Sequence, residues 1–135
     1  MFAVFYKVTT HACGYSKHDS TKNALLTPLP VFSAQSRDEL QRAVYDCCRD
    51  EIYSDDTPTR LHGPIGKWDV SRVTDMSTIF YDLDTFNCDI SKWDVSCAND
   101  MHGMFAYAST FNQTLSKWDV SRVTNMFEMF RHAYM

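Results

Sequence analysis

The sequence predicts an α/β fold in which about three units of 25 residues stack side by side, each with one parallel strand, behind an N-terminal capping helix. The first observation is a repeat: a nine-residue segment begins at Trp68 and returns with few changes at Trp93 and at Trp118. A fixed spacing of this size is typical of stacked units that bury their apolar faces against each other. The second observation is an amphipathic helical pattern directly upstream of the first unit.

Length and composition favour a single ordered domain. A chain of 135 residues is long enough for one core, and 44% hydrophobic with 14% aromatic residues is typical of a globular protein. The formal net charge is −4, and lysine and arginine do not cluster in any stretch. Because a nucleic-acid partner requires a basic surface, the sequence does not favour nucleic-acid binding.

The cysteines favour a reducing compartment. Their number is odd, their spacing does not repeat and two of them are adjacent, so free thiols are favoured over a secreted, disulfide-bonded form. The five are Cys13, Cys47, Cys48, Cys88 and Cys97. The apolar start is too short for a signal sequence, and no later run is long enough to span a membrane. We therefore expect a soluble protein that is intracellular or within a virion.

Residues 1–60 are predicted to form a lead-in to the repeats. Residues 1–10 are rich in β-branched and aromatic side chains and fit one strand, which a polar loop follows. His11, Cys13 and His18 lie in that loop. They lack the second pair of ligands that a metal site of standard spacing contains, so we predict no metal there.

One helix is predicted over about residues 37–50. Ser36, with Glu39 three residues later, has the pattern of a capping box. Apolar residues recur at helical spacing on one face, and they are Leu40, Ala43, Val44 and Cys47. We expect this face to cover the first unit, because an open repeat end exposes both a core and an edge.

The repeat region is predicted to span residues 61–135. In its first unit, Ile65, Trp68 and Val70 follow the spacing of the strand segment of a leucine-rich repeat, and the later units follow it again. Apolar residues at spacings of three and four then predict one or two helical turns on the other side of the core. The predicted core positions are Trp68, Val70, Met76, Phe80, Trp93, Val95, Met101, Phe105, Trp118, Val120, Met126 and Phe130.

A charged strip is predicted on the outer face of the strands. It consists of Lys67, Asp69, Lys92, Asp94, Lys117 and Asp119, which recur at the repeat period. Carboxylates stacked at about 4.8 Å repel each other unless something neutralises them. Lysine partners or the N–H groups of the following bend are one explanation, and a bound cation or a basic partner surface is the other. The strip is therefore a candidate interaction surface. If Asp94→Asn reduces stability and leaves partner binding unchanged, its role is only structural.

Two segments, Phe86 to Ser96 and Phe111 to Ser121, carry a family resemblance. Each begins with Phe-Asn and ends with Ser-Lys-Trp-Asp-Val-Ser, and over about residues 61–135 the chain resembles the BspA-like surface-protein repeat family. The resemblance implies a leucine-rich-repeat-like solenoid used in interaction or adhesion, without catalytic residues. The helix ahead of the first unit is similar to the lead-in of algal members.

Two departures from the repeat pattern bear on function. The middle unit has Cys97, Ala98 and Asn99 where its neighbours have Arg, Val and Thr. The sequence ends at Met135 without an atypical capping unit after the third unit. Open ends of repeat proteins are adhesive. We therefore expect the C-terminal end to dock on another protein or on a second copy, and truncation of the sequence is the competing explanation.

No set of residues predicts catalysis, and we expect no enzyme activity, cofactor or bound metal. The favoured function is a noncatalytic protein–protein interaction module, used as a structural or scaffolding subunit of a larger assembly. A minor capsid or cementing protein of a large DNA virus and an accessory subunit of a protist complex are two examples. The alternative is a cell-surface adhesin or ligand-binding repeat domain, which glycosylation at Asn112 would favour.

Overall fold

The structure is a computed structural model that describes residues 31–49 and 62–134. Within these ranges it contains one α-helix, α1 (Arg37–Arg49), and one short 3-10 helix (Ile65–Lys67). None of the helices in the described ranges has the length and apolar character needed to span a bilayer. The predicted N-terminal strand lies outside the described residues, as do His11, Cys13 and His18.

The predicted helix is present and begins directly after its capping residue. The Ser36 hydroxyl accepts a hydrogen bond from the Glu39 N–H at 3.3 Å, and the Glu39 carboxylate accepts one from the Gln35 N–H at 2.9 Å. Both bonds satisfy N–H groups that the start of a helix leaves unpaired. Leu40 and Val44 are fully buried in the same core as the repeats. The apolar face of α1 therefore covers the repeat region.

The prediction of a leucine-rich-repeat-like solenoid with parallel strands is wrong. No strand forms in the part of the chain that the structure describes. The β-type pairing in this part consists of isolated parallel bridges. These bridges pair Ser33 with Asp69, Asp75 with Asp100, and Asp100 with Asn125.

Tight turns replace the strands because backbone N–H groups bond within their own unit. The N–H of Trp93 donates to the carbonyl of Ile90 at 3.1 Å, and the N–H of Ala98 donates to that of Val95 at 2.9 Å. Each bond spans three residues, as in a β-turn. A backbone that closes a turn every few residues leaves no row of N–H groups for a strand ladder along the Trp-Asp-Val segments.

The predicted helical turns in the second half of each unit are replaced in the same way. Thr78 and Asp82 have positive φ angles of 57° and 59°. Gly103 and Tyr107 occupy the same positions in the next unit, with φ angles of 55° and 64°. Left-handed residues four apart are incompatible with a right-handed helix, so this segment runs as consecutive turns.

Backbone hydrogen bonds at this turn segment join each unit to the next. At both junctions the earlier unit donates N–H groups from alternate residues to carbonyls of the later unit, with N···O distances from 2.7 to 2.9 Å. The first junction joins Met76 to Asp100, Thr78 to His102, Phe80 to Met104 and Asp82 to Ala106. The second joins Met101 to Asn125, Gly103 to Phe127, Phe105 to Met129 and Tyr107 to Arg131. The turn segment therefore has two different edges. One edge presents N–H donors, and the other presents carbonyl acceptors.

Aromatic side chains continue the stacking in the core. The Phe105 ring lies between those of Phe80 and Phe130, with centroids 5.1 and 5.3 Å away and planes nearly parallel. The Trp93 indole N–H donates to the carbonyl of Ile65 in the preceding unit at 2.8 Å. This bond lets the indole be buried without an unpaired donor.

Candidate functional site

Helix α1 closes the N-terminal end of the stacked units. Its polar side chains donate to main-chain carbonyls of the first unit, namely Arg37 Nε to Ser77 at 2.9 Å, Gln41 Nε2 to Thr78 at 3.1 Å and Tyr45 Oη to Tyr81 at 3.4 Å. In the second unit, the carbonyls at the positions of Ser77 and Tyr81 accept N–H groups from the first unit. The helix therefore supplies donors where a preceding unit would supply them.

The C-terminal end presents the opposite edge of the turn segment. The N–H groups of Met126, Glu128, Phe130 and His132, which we call the donor row, correspond in position to the four donors of each junction. Within the described residues, none of these four N–H groups donates a hydrogen bond. Among the residues that the structure describes, this end therefore offers four aligned donors without acceptors.

Apolar side chains surround the donor row. Val120, Met126 and Phe130 are 38%, 44% and 49% exposed, whereas their counterparts in the first two units are at most 2% exposed. Phe127 is also largely exposed. A shallow groove of about 360 Å³ adjoins them and is lined by Phe111, Asn112, Gln113, Leu115, Phe130 and Ala133. We call these side chains, the donor row and the groove together the end face.

The remaining residues predicted for the core are buried. They are Trp68, Val70, Met76, Phe80, Trp93, Val95, Met101, Phe105 and Trp118. Val120, Met126 and Phe130 have the same side chains as buried counterparts and differ in having no later unit against them within the described residues. The repeat pattern therefore does not by itself distinguish core from end face.

The charged strip predicted from the sequence is exposed, and serines bind its aspartates. The Ser71 hydroxyl donates to Asp69 at 2.7 Å, and the Ser96 hydroxyl donates to Asp94 at 2.7 Å. The backbone N–H of the same serines donates to the same carboxylates at 3.1 and 3.0 Å. Ser121 repeats the N–H bond to Asp119 at 3.0 Å. The bend that follows each aspartate therefore provides hydrogen bonds that stabilise its charge.

These hydrogen bonds lower the pKa of the strip carboxyls. The serine hydroxyl is the largest cause for the pKa of Asp69 and of Asp94, and the serine N–H is the largest for the pKa of Asp119. The charges of Asp69 and Asp119 act in the opposite direction on the pKa of Asp94, with a smaller effect. The carboxyls of Asp69, Asp94 and Asp119 are thus ionised at neutral pH, and the role of the strip as an interaction surface stays a prediction.

The cysteines differ from one another in environment. Burial raises the pKa of the Cys48 thiol to about 12, and the charge of Cys47 adds to this effect, so Cys48 is a poor nucleophile. Cys97 carries a free thiol, whereas Cys88 is disulfide-bonded, and the expectation of free thiols is wrong for Cys88. In the described ranges, no group of three His, Cys, Asp or Glu side chains could hold a metal ion.

Sequence reasoning missed two parts of this arrangement. Arg37, Gln41 and Tyr45 recur every fourth residue, which places them in one row on α1 beside the apolar face, and this spacing was a usable signal. The donor row left no comparable signal. Its direction depends on left-handed residues such as Glu128 and His132, and these side-chain types do not require positive φ.

A family model described as "Mycoplasma protein of unknown function, DUF285" matches residues 50–135. The match includes all three units and begins just after α1. No curated protein and no solved structure matches the chain.

Proposed function

This chain belongs to the DUF285 family, and from that premise we propose that it is a noncatalytic protein–protein interaction module that serves as a structural or scaffolding subunit of a larger assembly. The finer resemblance to BspA-like repeats, which are used in interaction, supports the same proposal. A minor capsid or cementing protein and an accessory subunit of a protist complex would both use such a module.

The end face is the observation that carries this proposal. At the two junctions inside the chain, side chains at the positions of Val120, Met126 and Phe130 are buried by the next unit. At the end face the same positions are exposed to solvent. Contiguous exposed apolar surface beside unpaired backbone donors is typical of a site where another chain docks.

The energetics favour docking at this surface. Complete burial of a Met or Phe side chain is worth about 1.5–3 kcal/mol, and Met126 and Phe130 have nearly half of their surface left to bury. The donor row adds orientation, because N–H groups at fixed spacing bond well only to acceptors at the same spacing.

Photo-crosslinking in the source cells tests the proposal. A photoreactive amino acid at Phe127 reports on the end face, and the same amino acid at the exposed Lys92 is the control on the charged strip. We expect a defined protein adduct from position 127, and we expect Phe130→Asp in the same chain to abolish it.

Two results would count against the proposal. One is the absence of any protein adduct at position 127, and the other is an adduct that persists unchanged with Phe130→Asp. An adduct from position 92 with none from position 127 would show that the interaction surface is the charged strip.

A further inference from the structure

The direction of the junction bonds restricts what can dock on the end face. In all eight bonds of the turn segments, the N–H belongs to the earlier unit and the carbonyl to the later one. The donor row of Met126, Glu128, Phe130 and His132 therefore needs a partner edge that presents carbonyls at alternate residues. A second row of N–H groups cannot bond to the donor row, because neither row contains an acceptor.

The structure disfavours two arrangements of identical copies. A two-fold dimer would place one donor row against another, so the four N–H groups on either side could not bond to the opposite row. A head-to-tail copy would have to offer the carbonyl edge of its first unit, meaning the carbonyls at the positions that Asp100, His102, Met104 and Ala106 hold in the second unit. That edge is covered by α1, through Arg37, Gln41 and Tyr45 and through the buried Leu40 and Val44.

The side chains of the end face show what else the partner must supply. At each internal junction the later unit stacks a phenylalanine on the earlier one, as Phe105 does on Phe80 at 5.1 Å. The later unit also sends an indole N–H to an earlier carbonyl, as Trp118 does to Ile90 at 3.2 Å. The corresponding carbonyl at the end face belongs to Leu115, which lines the groove beside Phe130.

We infer that the end face binds a further repeat unit of the same type, whose carbonyl edge is uncovered, in a head-to-tail orientation. The unit bonds its carbonyls to the donor row, stacks a phenylalanine on Phe130 and donates a tryptophan N–H to the Leu115 carbonyl. This inference rests on the proposed function and names the partner of the same surface. The two internal junctions are its structural precedents.

Two versions of the 135-residue chain test this inference. The acceptor probe is this protein with Leu40→Asp and Val44→Asp, which release α1 from the carbonyl edge, and with Phe130→Asp, which blocks its own end face. The wild-type chain provides an intact end face and a covered carbonyl edge. By size exclusion with light scattering, we expect each chain alone to be a monomer and the mixture to contain a 1:1 complex.

Amide hydrogen exchange locates the contact within that complex. On isotope-labelled wild-type chain, the N–H groups of Met126, Glu128, Phe130 and His132 should exchange at least about tenfold more slowly after the probe is added, as newly bonded donors do. Wild-type chain carrying Phe130→Asp alone is the matched control and should form no complex.

A milder second probe guards against unfolding of the first. Arg37→Ala, Gln41→Ala and Tyr45→Phe remove the hydrogen bonds of the cap without placing charge in the core, and Phe130→Asp again blocks the end face. Circular dichroism and tryptophan fluorescence identify which probe is folded. A folded probe in which α1 is released from the first unit, and which still stays monomeric with wild-type chain at high concentration, would overturn the inference.

Two further outcomes would also overturn it. If the wild-type chain alone forms a two-fold dimer with a protected donor row, the surface is a docking site, but the partner and the hydrogen-bond direction that we infer for it are wrong. If the complex forms equally well with the Phe130→Asp control, the contact lies elsewhere. The first outcome would leave the proposed function standing, because crosslinking at Phe127 tests that function independently.

Discussion

At the scale of single residues, the repeated Trp-Asp-Val-Ser motif contributes buried side chains to the core and polar side chains to the bend that follows. Trp93 and Val95 are buried, whereas Asp94 faces solvent and accepts two hydrogen bonds from Ser96. An aspartate that binds the backbone two residues later is a common way to fix a turn. The motif therefore encodes a turn with a buried side and an exposed, ionised side.

The serine hydroxyl should control the acidity of the strip. Ser96→Ala removes the largest cause that lowers the pKa of Asp94, so that pKa should rise towards its ordinary value. Ser121→Ala is the matched control, because the Ser121 N–H, which alanine keeps, is the largest cause for the pKa of Asp119. Carboxyl titration by NMR measures both, and an equal rise at the two sites would contradict the assignment.

The same bonds predict how acid affects stability. The pKa of Asp69 and of Asp94 is lowered in the folded chain from 3.8, so their ionised forms stabilise the fold at every pH above about 4. This contribution is lost as the pH falls below 4 through the folded pKa values. Urea unfolding at several pH values should therefore show a steeper acid loss for wild type than for Ser96→Ala.

Gly66 fills a position where a larger residue does not fit. A Cβ atom built there overlaps the carbonyl oxygen of Asp89, which is backbone and cannot swing aside. Gly66→Ala should destabilise the fold by about 1–3 kcal/mol, the usual range for overpacking. Lys67→Ala, at the exposed neighbour, is the control and should change the midpoint of urea unfolding little. Equal effects of the two substitutions would show that the clash relaxes.

At the scale of elements, α1 acts as a cap through both its apolar and its polar faces. Leu40 and Val44 enter the core, while Arg37 and Gln41 bond carbonyls of the first unit. Unpaired carbonyls at a buried junction would be unfavourable, so the helix satisfies polar groups as well as covering apolar ones.

The polar face of the cap makes a testable contribution. Arg37→Ala leaves the Ser77 carbonyl without its side-chain donor and should destabilise the fold by about 1 kcal/mol, at the low end for an unpaired acceptor because the site is part-buried. Arg42→Ala, on the exposed side of the same helix, should fall within about 0.5 kcal/mol of wild type. Chemical denaturation compares the two variants, and indistinguishable midpoints would show that Arg37 does not contribute to the stability of the cap.

At the scale of the whole molecule, one sequence position changes its role along the chain. Phe80, Phe105 and Phe130 stack in one column, yet the first two are fully buried and the third is half exposed. The energetic value of a repeat residue therefore depends on whether another unit follows it in space.

This gradient predicts unequal substitution effects. Phe105→Ala should destabilise the fold by about 3–5 kcal/mol, as expected for a buried aromatic residue. Phe130→Ala removes the same atoms from a half-exposed site and should destabilise it by about 1 kcal/mol. Urea unfolding of the isolated chain measures both, and similar losses would mean that Phe130 is covered in solution.

The sequence alone determined the period, the helix and the division of each motif into buried and exposed residues. These properties depend on spacing and side-chain chemistry, which the sequence contains directly. Strands were predicted in error because Trp-Asp-Val alternates as a strand does, while the turn bonds that prevent a ladder are not visible in side-chain types.

The polarity of the stacked units, in contrast, follows from the tertiary fold. Positive φ angles at Thr78, Asp82 and their counterparts turn the N–H groups of the segment towards the next unit, and φ is set by packing between units as well as by residue type. For the same reason Val120, Met126 and Phe130 differ from identical or similar residues in the preceding units. Whether a side chain is core or contact surface depends on its neighbour in space, which a repeated motif does not specify.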